Sequence, residues 1–298
     1  MLIFVEEVNE RLTYTFDFIF KERDLSYVFT SSEAEFEKSL EEKFNYSKKQ
    51  FGTTPSISPS TILFNDSLEK LTLNSCLFNE EKCLTINGVC DPVASIFYIL
   101  TRYEEYHSSF KDKHGRHIGK KSVLYRFGWH EKAMCDRWSE DILFFLSSNT
   151  AFRYEKKKYR PQIIPTFDID KAYAYKHKGI FRNILGYFKD FYSKDRTLTK
   201  ERRMVLAGSK KDPFDNYDKI FEIQSRGFDV KLFWMLGNYG KYDKNISHKN
   251  RRHRRLIRKM DTIASIGIHP SYKSNSNEFN IHNEIERLQS IIKKHVRS

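Results

Sequence analysis

Two carboxylates one residue apart, Asp168 and Asp170, close the short apolar run Pro161-Gln-Ile-Ile-Pro-Thr-Phe-Asp-Ile-Asp170. A single imidazole, His269, closes a second apolar run that begins at Ser265 and continues into Pro270-Ser-Tyr-Lys273. Side chains alternate faces along a strand, so Asp168 and Asp170 are expected on the same side. If both runs are parallel strands, their carboxyl ends share one sheet edge, where open α/β folds and α/β barrels place their chemistry. Two carboxylates and an imidazole at such an edge suit a divalent cation such as zinc, with coordination room left for water.

Each piece has a plainer reading when taken alone. An Asp at a strand end often caps the next helix, and His-Pro often makes a turn. An Asp-x-Asp also suits a haloacid-dehalogenase-type phosphatase, with the first Asp as nucleophile, or a metal–nucleotide glycosyltransferase. The order strand–Asp-x-Asp, helix, strand, helix, strand–His favours the shared metal site.

The elements that must position these residues follow from periodicity. In the C-terminal half, Lys171 to Arg203 reads as a helical insertion with a basic-aromatic face (Tyr173, Tyr175, Phe181, Tyr187, Phe188, Phe191, Tyr192). Asp215 is expected to cap a helix that stops at Gly227. Asp229 to Leu236 reads as a buried strand, a basic helix follows, and Ile281, Ile285, Leu288 and Ile292 mark the apolar face of a last helix. Strand–helix alternation implies a parallel sheet. The N-terminal half reads as a mixed α/β domain, with strands at Leu2–Val5, Thr61–Phe64 and Leu71–Leu73 and an amphipathic helix through Leu12, Phe16, Ile19 and Phe20. Asp91-Pro92 opens a further helix, and Arg102 to Tyr106 with Asp112 to Arg116 reads as a hydrogen-bonded corner. The Lys-rich stretch from Tyr154 to Tyr159 is the expected linker, dividing the chain into residues 1–160 and 161–298.

The formal charge of +13 favours acidic partners: anionic lipid, acidic polysaccharide or nucleic acid. No apolar run reaches the roughly 20 residues of a spanning helix, and the N-terminus lacks a secretory leader. These features place the protein in the cytoplasm, with an anionic membrane surface as a candidate partner. Cys76, Cys83 and Cys90 fall seven apart, a spacing of neither a zinc module nor a disulfide framework, so these and Cys135 are expected as free, mostly buried thiols.

Thr166-Phe-Asp-Ile-Asp170, Lys231-Leu-Phe-Trp-Met-Leu-Gly237 and Ile266-Gly-Ile-His269 together resemble the first half of a NodB-like polysaccharide deacetylase domain, the metal-dependent amidases of carbohydrate esterase family 4. Phe97 to Tyr106 with Asp112 to Arg116 looks like the companion domain that precedes such domains in some Bacteroidetes proteins. The resemblance implies an α/β fold: an N-terminal mixed α/β domain, then the first part of a deformed (β/α) NodB-type barrel. It implies a hydrolase that removes N-acetyl groups from a carbohydrate substrate, with Asp168 as general base and Asp170 and His269 as ligands of a divalent metal, zinc by analogy. The family's carboxylates are normally adjacent, whereas Ile169 separates them here. Its second histidine falls on Lys273, a poor ligand when protonated; His248 and His282 are the candidate substitutes. The family's base-orienting Arg, oxyanion donor and general-acid His belong to the second half of its barrel, so the chain reads as truncated at Ser298.

Two rival readings stand beside this one. The first is an inactive remnant of the fold. The second is a nucleic-acid or acidic-surface binder working through the basic stretch Lys244 to Lys259, with nucleic acid the less expected partner because that stretch falls between two barrel strands.

Overall fold

A computed structural model describes residues 1–156, 160–192 and 196–296. Lys157–Tyr159, within the expected linker, and the side chain of Phe191 lie outside the described residues. The chain divides into two compact α/β units, Met1–Tyr159 and Arg160–Ser298.

The first unit contains β1 (Leu2–Phe4), α1 (Glu10–Phe20), β2 (Val28–Thr30), α2 (Glu33–Lys38) and β3 (Lys43–Asn45), then β4 (Leu73–Phe78), β5 (Glu81–Ile86) and β6 (Val89–Cys90). It closes with α3 (Pro92–Leu100), α4 (Glu104–His107), α5 (Val123–Arg126) and α6 (Met134–Asn149). The first three strands form a parallel sheet ordered β2-β1-β3, and the next three an antiparallel meander ordered β4-β5-β6. Asp91 caps α3 as its sequence signals, accepting from the Ala94 N–H at 2.9 Å. It is wholly buried, and also accepts from Tyr46 Oη at 2.7 Å and the Ser60 N–H at 2.8 Å. Thr61–Phe64 is not the strand its composition suggests, because Thr61–Leu63 forms a 3₁₀ turn. Ile62 and Leu63 are both buried, which a strand with one face on a core does not allow for neighbours. Of Leu71–Leu73, only Leu73 enters a strand. The Arg102 and Asp112 corner is held by Arg102–Glu105 and Arg116–Asp112 ion pairs.

The second unit contains β7 (Thr166–Ile169), α7 (Ile180–Tyr192), α8 (Arg196–Leu206), α9 (Tyr217–Ser225), β8 (Lys231–Trp234), α10 (Arg251–Met260), β9 (Ser265–Ile268) and α11 (Glu278–Ile292). Its three strands are parallel and lie in chain order, β7-β8-β9. The strands are shorter than the apolar runs that mark them, and Ile163 and Ile164 before β7 are exposed. In register, Ile169, Trp234 and Ile268 are level, as are Phe167, Leu232 and Ile266. That face carries the core, where Leu232, Trp234, Ile257, Met260, Leu288 and Ile291 are buried. Trp234 stacks on Tyr217 with ring centroids 6.2 Å apart. The helix after Asp215 begins later than expected: α9 is preceded by Asn216, and Asp215 does not cap it. The nearby carboxylate that organises backbone is Asp212. Gly227 does follow α9, at φ +88°, a conformation that glycine adopts without a Cβ penalty.

His253 of α10 packs against Trp234, with ring centroids 5.5 Å apart. Burial is the main cause that pushes its pKa down to about 4, against about 6.5 for a free histidine. Between these values the unfolded chain binds a proton that the folded chain refuses. Stability is therefore complete above about pH 6.5 and falls as the pH drops toward 4, by roughly 3 kcal/mol from this group. Urea unfolding of His253→Phe should show a flatter pH dependence across this window than wild type; parallel curves would contradict the assignment.

Candidate metal centre at the sheet rim

The register explains how residues far apart in the chain meet. Ile169, Trp234 and Ile268 are level, so Asp170 and His269 are each the first residue past the same rung. Asp168 lies one alternation earlier, level with Phe233 and Gly267, and so on the same face as Asp170. A Cβ at Gly267 would stand 2.8 Å from the Phe233 ring. Glycine there leaves room for that ring against β9.

The three side chains converge across β8. His269 Nε2 lies 3.6 Å from Asp168 Oδ2, and its Nδ1 lies 3.6 Å from Asp170 Oδ1. These separations exceed hydrogen-bond length. Nδ1 is buried and has no hydrogen-bond partner, while both carboxylates are exposed. An orphaned imidazole nitrogen beside an oxygen of Asp170 fits a cation held between them, and Asp168 stands at the other ring nitrogen. A cleft of about 710 Å³ opens beside both carboxylates, walled by Phe214, Tyr217 and Ile220.

The expected third ligand does not join them. Lys273, in the 3₁₀ turn Tyr272–Ser276, is exposed. His282 is also exposed, with Nδ1 3.1 Å from the Glu278 carbonyl. His248 is half-buried, and burial together with Arg287, Lys249 and Arg254 lowers its pKa. Among the described residues, none of Asp168, His248 and His282 joins Asp170 and His269 in a group of three ligand atoms within 4.8 Å of one another, so the two carboxylates and the imidazole do not form one three-ligand set.

Residues that the sequence does not single out hold the rim in place. Glu284 of α11 is buried and accepts from the Ser271 N–H at 3.1 Å, Ser271 Oγ at 2.6 Å and Ser274 Oγ at 2.8 Å. It thereby anchors the loop that carries His269. Its one sequence signal is a carboxylate on the apolar stripe between Ile281 and Leu288. Gly237, just past β8, is packed under the same loop: a Cβ there would stand 2.4 Å from Ser271 Cβ and 2.9 Å from Glu284 Oε1. Asp243 accepts from the Tyr272 N–H at 2.9 Å. Asp212 anchors the loop after Asp170, accepting from the N–H groups of Ala174, Tyr175 and Lys176 at 2.7, 2.9 and 3.0 Å. Burial opposes its charge, but these bonds and one from Phe214 hold its carboxyl below the ordinary range.

The cysteines depart from expectation. Cys76 and Cys90 form a disulfide, and Cys83 and Cys135 are the free, buried thiols. Each strand of the β4-β5-β6 meander carries one cysteine, and the two hairpin turns bring Cys76 and Cys90 to a Cα separation of 6.0 Å, within disulfide reach. A chain spacing of fourteen hides this. The sulfurs of Cys76, Cys83 and Cys90 lie within 4.8 Å of one another, the one such group among the described residues. With two of them oxidised, Cys83 is the single thiol left, and burial pushes its pKa up to about 12. A metal binds thiolate, so this group in its oxidised form offers no thiolate set.

No helix among the described residues is long and apolar enough to cross a membrane. No curated protein and no solved structure matches the chain. Residues 1–151 match the model of DUF7033, a family of unknown function. That match spans just over half of the sequence and ends before the rim residues. By it, the chain belongs to the DUF7033 family.

Proposed function

We propose that the second unit is the first part of a NodB-like metal-dependent deacetylase domain, acting on N-acetyl groups of a carbohydrate. The observation that carries this reading is the placement of His269 between Asp168 and Asp170, past the carboxyl ends of three parallel strands. The resemblance of the three strand-end motifs to that family supplies the activity.

Asp170 and His269 are the residues that would hold a divalent cation, zinc by analogy; it would polarise the amide carbonyl and lower the pKa of attacking water. Asp168, exposed and lining the cleft, would act as the general base that accepts a proton. Phe214 and Tyr217 give the cleft an apolar wall beside the carboxylates, a surface suited to the face of a sugar ring. Asp212 and Glu284 touch no substrate in this scheme. They position the loops that carry the acting groups.

Lys273 at the family's second histidine position supports a second reading, a fold that keeps the motif without turnover. One assay separates the two: acetate release from N-acetylated oligosaccharides with added zinc or cobalt. The deacetylase reading expects release by wild type and background release by Asp170→Ala. Equal rates for the two proteins would remove Asp170 from the metal centre.

A further inference from the structure

Helices on the surface of a protein turn their apolar stripe to the core and their polar face to water. Helix α7 does the reverse. Its large apolar residues Ile180, Phe181, Ile184, Leu185 and Phe188 recur at i, i+1, i+4, i+5 and i+8, and so share one face. That face lies in solvent: Ile180 is 78% exposed, Phe181 84%, Ile184 47%, Leu185 69% and Phe188 54%. The polar face makes the contacts with the rest of the unit. Arg182 donates to the carbonyls of Lys244 and Asn245, each at 3.0 Å, and lies 4.2 Å from the centre of the Tyr239 ring. Arg202 of α8 reaches Asp190 at 2.8 Å and Asn183 at 3.4 Å. It also packs on Gly186, where an added Cβ would stand 2.7 Å from the guanidinium. A helix bonded to its own protein through its polar side presents its apolar side to something else.

Charge identifies that occupant. Residues 160–298 hold 30 Lys and Arg against 15 Asp and Glu, whereas residues 1–159 hold 22 against 24. All of the chain's excess positive charge therefore belongs to the unit that carries α7. On neighbouring α8, Lys200 and Arg203 are exposed, and neither has an acidic partner among the described residues. Such a unit is drawn to an anionic surface and repelled by a second copy of itself.

We propose that α7 is an interfacial anchor that lies in the plane of an anionic lipid bilayer. Its Ile, Leu and Phe face enters the headgroup–acyl boundary, and the basic unit supplies the attraction to acidic headgroups. Thirteen residues are too few to span a bilayer, so the helix lies along the surface. The proposal does not depend on the metal-centre reading, because α7 and the rim residues make separate predictions.

Flotation of the full chain with two kinds of vesicle tests it: pure phosphatidylcholine, and phosphatidylcholine with about one-third phosphatidylglycerol. Wild type is expected to float with the anionic vesicles and much less with the neutral ones. The Phe181→Glu/Leu185→Glu double variant should partition at least about tenfold less, with unchanged circular dichroism because both side chains are exposed. Lys200→Glu/Arg203→Glu should weaken flotation with the anionic vesicles alone, and Asp170→Ala should float as wild type does. Failure of wild type to float with anionic vesicles at low salt would overturn the proposal. So would undiminished flotation of the Phe181→Glu/Leu185→Glu protein. A wild-type dimer in sedimentation velocity that the same double variant dissociates would instead assign the face to self-association.

Discussion

Gly237→Val is expected to destabilise the second unit by about 3 kcal/mol or more, an overpacking cost at the upper end for a buried site. A Cβ at this position would stand 2.4 Å from Ser271 Cβ, well inside van der Waals contact, and 2.9 Å from the buried carboxylate of Glu284. Neither neighbour can swing away cheaply. Ser271 is held by Glu284 through both its N–H and its hydroxyl, and Glu284 also carries Ser274. Relief would require the loop after β9 to lift, which moves His269 two residues upstream. Chemical denaturation should therefore report the lost stability. A Gly237→Ala/Ser271→Gly protein should recover part of what Gly237→Ala loses, because it removes the nearest Cβ. An unfolding midpoint for Gly237→Val equal to that of wild type would show that the two loops are not packed as described.

Much of the rim was legible from residue type and spacing, and the reason is local. Asp168, Asp170 and His269 each sit at the end of a short apolar run, and each of these runs feeds a strand. Asp91-Pro92 and the basic run Arg251–Met260 likewise carry their helix signals within a few residues. The features that were not legible depend on distance. Glu284 and Asp212 are ordinary surface-type residues until the fold closes over them and aims three or four donors at each. Gly237 looks like a turn glycine, yet its need is set by Ser271 on another loop. Cys76 and Cys90 become neighbours only after two hairpins fold, so a spacing rule written for metal modules could not pair them. Thr61–Leu63 has the composition of a strand and the burial of a turn, because two adjacent side chains must enter one core. The insertion after Asp170 was readable as helical with a basic-aromatic face, although Tyr173 and Tyr175 of that face precede α7. Which of its faces meets the protein was not, since hydrophobic periodicity fixes the stripe and tertiary bonds such as those of Arg182 fix its direction.

On the function proposed above, the two carboxylates that flank one imidazole divide the labour at the rim. Asp170, beside the unpartnered Nδ1 of His269, would hold the cation, and Asp168, beside Nε2, would take the proton. Asp168→Asn should lower turnover by about 10²–10⁴-fold, the range for loss of a general base, because an amide cannot accept the proton. Equilibrium dialysis against zinc or cobalt under non-reducing conditions, which leaves the Cys76–Cys90 disulfide intact, measures the division without any substrate. One equivalent of metal held by wild type and by Asp168→Asn, and lost by Asp170→Ala and by His269→Ala, is the result predicted. Metal bound as tightly by Asp170→Ala as by wild type would contradict this division of roles.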